Sequence, residues 1–548
     1  MEKLKPKLFS VMKSYTKEQF VKDVIAGIIV AIIALPLSIA LALASGVTPE
    51  KGIYTAITAG FVISFLGGSR VQIAGPTAAF ATIVAGIVAK NGMDGLIIAT
   101  LLAGVILILM GFLRLGNLIK FIPYTITTGF TSGIAVTIFI GQIKDFLGLT
   151  IVSEEPLIET MDKLKAVFQF ISTTNVQALL VGVISLLILI LWQYLPGFCK
   201  KIPPSLIAVL VGSAMVALLN MNVNTIGDLY EISNKLPSIS LPAFSLKTVQ
   251  NVLPDAFTIA ILAAIESLLS CVVADSMVNS RHRSNMELIA QGAGNITSAL
   301  FGGIPATGAI ARTAANVKNG GRTPIAGMVH SVTLLLILVV LMPYAALIPM
   351  PTIAAILFMV AYNMCDWRKF VGLCKTAPKS DIIVLVTTFV LTVVFDLVVA
   401  IEVGILLAAI LFMKRMSDVT EVEGWKYVDE DDADSLSLRV VPHNTMVYEV
   451  SGPLFFGAAD KILKITLDEK MNCLVLRMRS VSAIDATAMH NLEQLYADCK
   501  KKNIQIILSH VGEQPMHVME KSGFLDKVGR ENVCAHIDDA LERAAKLQ

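Results

Sequence analysis

Residues 300–322 read LFGGIPATGAIARTAANVKNGGR, a polar, glycine-rich break with Arg312 inside it, set between long apolar runs. In a bilayer, backbone without helical hydrogen bonds is tolerated only where protein or a water-filled cavity satisfies it. A Gly/Pro-interrupted segment therefore points to a binding site. A partner lies upstream at residues 66–79, LGGSRVQIAGPTAA. Both stretches run from Gly-Gly through a short extended piece into a small-residue helix, and each sits once in a half of the apolar region. That placement, rather than the match itself, gives the pair its weight as a repeat signal.

Composition agrees. The 548 residues are 55% hydrophobic and 16% charged, and mean hydropathy is +0.72. These values describe a polytopic α-helical membrane protein rather than a soluble one. A net charge of +2 and no dense basic run give nucleic acid nothing to bind. The seven cysteines show no CxxC pair, so they read as small apolar side chains. No Walker loop, HExxH, Cys/His cluster or Gly-x-Ser-x-Gly elbow is present, which excludes the common enzyme constellations and leaves no expected cofactor or metal.

Apolar runs divide the chain into about fourteen segments: 24–44, 53–67, a half-span 76–89, 95–113, 121–147, 176–195, 203–220, 254–278, 286–301, a half-span 308–317, 323–344, 351–371, 381–396 and 398–413. Lys and Arg follow the even-numbered segments, as at Arg114, Arg281 and Arg283, Lys318 and Arg322, and Lys414 and Arg415. Acids such as Glu159, Asp162, Asp228 and Glu231 follow odd ones. The positive-inside rule then puts both termini in the cytoplasm of a plasma-membrane protein. The expected domains are a tail at 1–22, a transmembrane domain at 23–415, an acidic linker at 416–440 that includes Glu421, Glu423 and Asp429 to Asp434, and a small cytoplasmic α/β domain at 441–548. In the last, strands are expected at 445–450, 473–478 and 504–508, and helices at 458–467 and 485–501.

Arg312 is the first candidate site residue. An arginine in a spanning segment costs about 2.5 to 3.5 kcal/mol on insertion scales, so it should face a cavity and serve an anion or a carboxylate partner. Half-helices starting near Pro76-Thr77 and at Gly308-Ala309-Ile310 would aim two positive N-termini at one point, with Thr77 and Thr307 as hydrogen-bond donors or helix caps. Glu266 is the one acid in the apolar body of its helix, and serves either as a proton carrier or as a permanent partner of Arg312. Ser270, one turn on, shares its face as an ion ligand or bonds the backbone. Ser38 stands beside the kink expected at Pro36.

At these residues the chain resembles the SulP family of anion transporters. The motifs are LPLSIALALASGVTPEKGIYTA (35–56), GGSRVQIAGPTAAF (67–80) and the stretch from Glu287 to Gly327. MVYEVSGPLFFGAADKI (446–462) and SAIDATAM (482–489) resemble the attached STAS domain. Stretches such as AAIESLLSCVVADSM (263–277) are similar to bacterial members that carry C4-dicarboxylates with protons. The resemblance implies two inverted seven-segment repeats, a core domain moving against a gate domain, and a homodimer. It also implies an anion between segments three and ten at Thr77, Ala311 and Arg312, with Glu266 in the coupling position. Ala311 departs from the family, where many members carry a hydroxyl. Thr487, beside Asp485, matches a position phosphorylated in related stand-alone domains. A cytoplasmic partner for the STAS domain is a further expectation.

With the cell interior negative, importing a dianion costs about 4.6 kcal/mol per 100 mV, so uptake needs compensating cations or exchange. The expected function is proton-coupled uptake of sulfate or a related oxyanion by alternating access. The alternatives are a C4-dicarboxylate symporter, a Na+-coupled bicarbonate transporter, an exchanger, a passive anion channel, or a sensor acting through its STAS domain.

Overall fold

The computed structural model describes residues 4–117, 123–152, 159–194, 202–239, 242, 245–395, 397–424, 441–468 and 470–547. The chain divides into two compact units, Met1–Ile405 and Leu406–Gln548.

In order, the first unit carries α1 (Leu8–Val11), α2 (Lys17–Ala44), α3 (Pro49–Leu66), β1 (Ala74–Gly75), α4 (Ala78–Phe112), α5 (Tyr124–Leu147), α6 (Thr160–Gln169), α7 (Val176–Leu191) and α8 (Pro204–Leu218). It continues with α9 (Ile226–Leu229), α10 (Leu246–Val278), α11 (Ser284–Leu300), β2 (Thr307–Gly308), α12 (Ile310–Lys318), α13 (Ile325–Leu341), α14 (Met350–Cys365), α15 (Trp367–Thr376), α16 (Lys379–Val394) and the start of α17 (Leu397–Val419). Among the described residues, six helices are long and apolar enough to cross a bilayer. Each expected apolar run coincides with a helix. The third and fourth runs meet within α4, where Gly92 at φ +67° breaks the helix.

Two features differ from the sequence reading. The run 351–371 falls within Met350–Thr376, a stretch long enough to span, but it is broken rather than continuous: Asp366 adopts a left-handed φ of +40° between α14 and α15. The latter buries none of its residues. The connection after α5 also holds α6, whose apolar face packs on α5.

The helices of the first unit share a core of small and branched side chains. Glycines allow close approach: a Cβ at Gly104 would lie 2.7 Å from the Gly292 carbonyl, so α4 and α11 meet backbone to backbone.

The second unit holds a five-stranded sheet in the order β3-β4-β5-β6-β7, made of β3 (Glu421–Gly424), β4 (Thr445–Ser451), β5 (Cys473–Ser480), β6 (Gln505–Ser509) and β7 (Val533–Cys534). Strands β4 to β7 pair in parallel, and β3 pairs antiparallel with β4. Helices α18 (Ala486–Lys501), α19 (Glu513–Lys521), α20 (Phe524–Val528) and α21 (Ile537–Lys546) complete it. Alternation along β5 explains the two layers: Leu474, Leu476 and Met478 pack with Leu492, Leu495 and Phe524. Cys473 and Val475 pack on the other side with Ile537, Ala540 and Leu541.

Here too the sequence reading is corrected. Glu421 and Glu423, assigned to a spacer, lie on strand β3, where alternate residues face solvent and tolerate charge. Asp429 to Asp434 fall outside the described residues. The expected helix at 458–467 is a single 3-10 stretch, Ala459–Lys464.

Candidate functional site

The two breaks cross. β1 and β2 pair antiparallel, Ala74 opposite Gly308 and Gly75 opposite Thr307. Ladders this short leave most backbone groups to side chains, and buried polar side chains supply them. The Ile73 N–H donates to Thr313 Oγ1 at 3.0 Å, and Asn316 Nδ2 donates to the Val71 carbonyl at 2.8 Å. Asn295 holds both groups of Ala306, donating to its carbonyl at 2.9 Å and accepting from its N–H at 2.8 Å. Ser267 Oγ accepts from the Gly308 N–H at 3.1 Å and meets Thr307 Oγ1 at 2.7 Å. Upstream, Glu287 Oε2 accepts from the N–H groups of Gly68 and Ser69 at 2.8 and 3.2 Å. The irregular backbone is thus satisfied within the protein.

This scaffold starts α4 and α12 from the same place. Thr77 is the N-cap residue of α4, yet its side chain makes no capping bond. Its hydroxyl donates instead to Glu266 Oε2 of α10 at 3.0 Å. Thr307 is likewise no cap, since it bonds Ser267 and the Ala263 carbonyl. The N-cap of α12 is Ala309, which has no side-chain acceptor to offer. Both helices therefore present N-terminal N–H groups without a side-chain cap. Ile310 is 44% exposed and Ala311 is exposed, so the start of α12 opens onto free space.

Arg312 is 2% exposed. Its Nη2 donates to the Pro76 carbonyl at 3.0 Å, while Nε and Nη1 are buried without a partner. A Cβ at Gly75 would come within 2.5 Å of Nη1, so glycine there makes room for the guanidinium. Among the described residues Arg312 and Glu266 form no ion pair. The reading of Glu266 as a permanent partner of Arg312 is accordingly not what the structure has. Two buried, unbonded guanidinium N–H groups beside two uncapped helix starts suit an anion.

The remaining expected residues separate. Ser270 makes a 3.3 Å contact with Thr313 Oγ1 and so supports the scaffold. Ser38 is buried on α2 with its carbonyl against Gly52, and its hydroxyl lacks a hydrogen-bond partner among the described residues. In the second unit, Asp485 caps α18 by accepting from the Ala488 N–H at 2.9 Å, and it also accepts from the Phe456 N–H at 2.8 Å. Thr487 is exposed in the first turn of that helix.

Sequence reasoning missed two features. His330 of α13 is fully buried, neither ring nitrogen has a hydrogen-bond partner, and it lies in electrostatic range of Arg312. Apart from Tyr344 at its end, it is the one ionisable residue of the apolar run 323–344, and that isolation was the signal. The second is a cavity of about 520 Å3 lined by Thr82 and Lys90 of α4, Lys163 of α6, Asp255 of α10, Thr137 of α5 and Thr392 of α16, among others. Of its lining residues on α4, Thr82 stands little more than one turn along the helix from Thr77. Lys163 sits in a connection read as acidic, and burial lowers its pKa from the ordinary lysine value.

Comparison with known proteins sets this geometry in context. The sequence pattern described as the sulfate permease family matches residues 20–388, and that of the STAS domain matches residues 437–540. The chain is 40% identical to YvdB of Bacillus subtilis (strain 168), provisionally named a sulfate transporter, over 96% of this chain and 98% of that one. It is 31% identical to the bicarbonate transporter BicA of Picosynechococcus sp. (strain ATCC 27264 / PCC 7002 / PR-6), over 95% and 94%. The solved transmembrane domain of a cyanobacterial BicA is 29% identical and superposes with a TM-score of 0.62, covering 72% of this chain and 98% of that one. Murine Slc26a9 in its inward-facing state, 20% identical, shares the fold with a TM-score of 0.89 over 99% and 94% of the two chains.

Proposed function

We propose, because the chain belongs to the sulfate permease family, that it is a multi-pass secondary transporter taking up sulfate or a related oxyanion together with protons. The observation that carries this reading is the crossing of β1 and β2. It brings the uncapped starts of α4 and α12 together beside the buried, partly unbonded Arg312. Sulfate has several acceptor oxygens for the backbone N–H groups of Ala78, Ala79, Ile310 and Ala311. Carbonate-like anions have fewer. The name of YvdB supports sulfate.

Coupling is assigned to Glu266. Its carboxyl is half-buried and meets Thr77 at the site itself, so its protonation state and the anion influence one another directly. Protonated, it removes a negative charge from beside the incoming anion; ionised, it repels that anion and favours release. The cavity from Thr82 to Lys90 is the route of entry in this conformation, and relative movement of the α4/α10 and α5/α16 pairs would close it. Both termini are assigned to the cytoplasm of a plasma-membrane homodimer, with the STAS domain contacting a cytoplasmic partner. Thr487 is its candidate phosphorylation site.

Sodium-coupled bicarbonate uptake is the second reading, its anion supported by the names of the BicA relatives. A C4-dicarboxylate is the third. Uptake of labelled sulfate, bicarbonate and succinate into proteoliposomes, under a proton or a sodium gradient, separates them. Accumulation of sulfate that needs the proton gradient supports the first reading. Accumulation driven by sodium alone, or flux indifferent to both gradients, replaces it.

A further inference from the structure

The stretch before α2 is held on the bundle by contacts that concentrate positive charge. The Lys7 N–H donates to the Gly67 carbonyl at 2.8 Å, and the Phe9 ring meets that of Phe65 edge-on at 6.0 Å. Lys7 Nζ donates to the Arg281 carbonyl at 2.7 Å. Arg283 reaches back the other way: Nη1 donates to the Lys5 carbonyl at 2.6 Å and Nη2 donates to Ser10 Oγ at 3.0 Å. Arg70 joins them, with its Nε buried and unbonded.

Every acceptor in these bonds is a carbonyl or a hydroxyl, which directs the cations without neutralising them. Burial and then the charges of Arg283 and Arg70 hold the Lys7 pKa below the ordinary lysine value. Among the described residues, the one carboxylate acting on Lys7 is Asp275. That group already accepts from the His282 N–H at 2.7 Å and faces its Nδ1 at 2.8 Å. Glu287 is turned inward to the Gly68 and Ser69 N–H groups. A cluster of like charges without an internal counter-ion attracts an external anion.

What surrounds the cluster says which anion. Phe9 and Met12, on the stretch before α2, are each 47% exposed, and Phe65, at the end of α3 beside it, is 38% exposed; Phe20, in the first turn of α2, is 50% exposed. A basic cluster next to exposed aromatic and aliphatic side chains is the pattern of a segment lying in the headgroup region. We propose that Lys7, Arg70 and Arg283 form a binding site for the phosphate of an anionic phospholipid, whose acyl chains lie along Phe9 and Phe65. The site is independent of the transported anion.

The test is native mass spectrometry of the full chain in neutral detergent, titrated with phosphatidylglycerol, phosphatidylcholine or inorganic phosphate. Phosphatidylglycerol should bind at least about fivefold more tightly than phosphatidylcholine. Lys7→Gln and Arg70→Gln should each remove about fivefold of that affinity, the equivalent of about 1 kcal/mol per basic group. Phosphatidylcholine binding should stay unchanged in both, which also reports that they fold. Equal binding of the two lipids overturns the site, and so do variants that keep wild-type phosphatidylglycerol affinity. Displacement of the lipid by millimolar inorganic phosphate would show a soluble-anion site and overturns it equally.

Discussion

The hydroxyl of Thr77 donates to the carboxyl of Glu266 across 3.0 Å, linking the N-cap of α4 to the middle of α10. In the proposed function, the residue that starts an anion-facing helix is thus bonded to the residue assigned to the proton.

That bond gives the first prediction. Glu266→Gln keeps a side chain able to meet Thr77 but removes titration. It should abolish dependence of uptake on the proton gradient while leaving exchange of internal for external anion. Thr77→Val deletes the hydroxyl with little change in shape and should cost about 0.5 to 1.5 kcal/mol, a few-fold to about tenfold in apparent affinity. Proton-driven accumulation by Glu266→Gln at the wild-type rate would remove Glu266 from the coupling role.

Arg312 supplies the second. Arg312→Ala should reduce anion affinity by more than about 100-fold, because a charged hydrogen-bonding group is lost from a buried site. Gly75→Ala tests the same side chain from outside: its methyl would stand 2.5 Å from Nη1 and must displace the guanidinium. The clash is with the end of a flexible side chain, so the protein should fold while the guanidinium shifts and most transport is lost. Full activity in Gly75→Ala would mean that the position of Arg312 does not matter.

Much of this was legible in the sequence, and the remainder was not for identifiable reasons. Hydropathy is local, so the spans from α2 to α17 follow from their composition. Gly67-Gly68 and Gly302-Gly303 marked the two breaks because backbone that leaves a helix inside a bilayer needs unusual residues. The partner of Thr77 was illegible, since capping and a bond to Glu266 use the same hydroxyl and packing alone decides between them. The place of Lys163 over the cavity depends on how α6 returns to the bundle, and no sequence period encodes that. Strand β3 was hidden because Glu421 and Glu423 face water from an edge, and an edge strand carries charge readily.

The cavity leads to a kinetic prediction. Lys90 and Lys163 line it together with Asp255 and Glu159, so on the proposed route an anion would meet two cations and two carboxylates on its way to Thr77. Lys90→Gln with Lys163→Gln should raise KM several-fold, leave kcat within about twofold, and flatten the salt dependence of uptake. A drop in kcat at unchanged KM would place these lysines in the conformational step instead.

In the sheet unit, Asp485 serves two N–H groups, those of Ala488 and Phe456. Asp485→Ala should cost about 1 to 2 kcal/mol by loss of the cap. Urea unfolding followed by circular dichroism measures it, and an unchanged midpoint would show that the cap is redundant. The neighbouring Thr487 is exposed in the same first turn, so a phosphate there would be stabilised by the helix start rather than repelled.

The same unit gives a pH prediction with a definite sign. Burial raises the Cys473 thiol from 9.0 to about 11 and the Cys499 thiol from 9.0 to about 12. A folded value above the unfolded one means that the native state holds its protons longer. The stabilising contribution is therefore complete below about pH 9 and declines as pH rises toward 11 and 12. Both side chains sit on opposite layers of one sheet, Cys473 against Ile537 and Cys499 against Leu495. Alkylation by iodoacetamide, read by mass spectrometry, should therefore be negligible at pH 8 and appear at both positions together as pH climbs past 9. The requirement for unfolding makes the two rates track the loss of native circular dichroism. Labelling of either cysteine at pH 8 at the rate of a free peptide thiol would mean that the layers open independently of global unfolding, and that burial does not control these thiols.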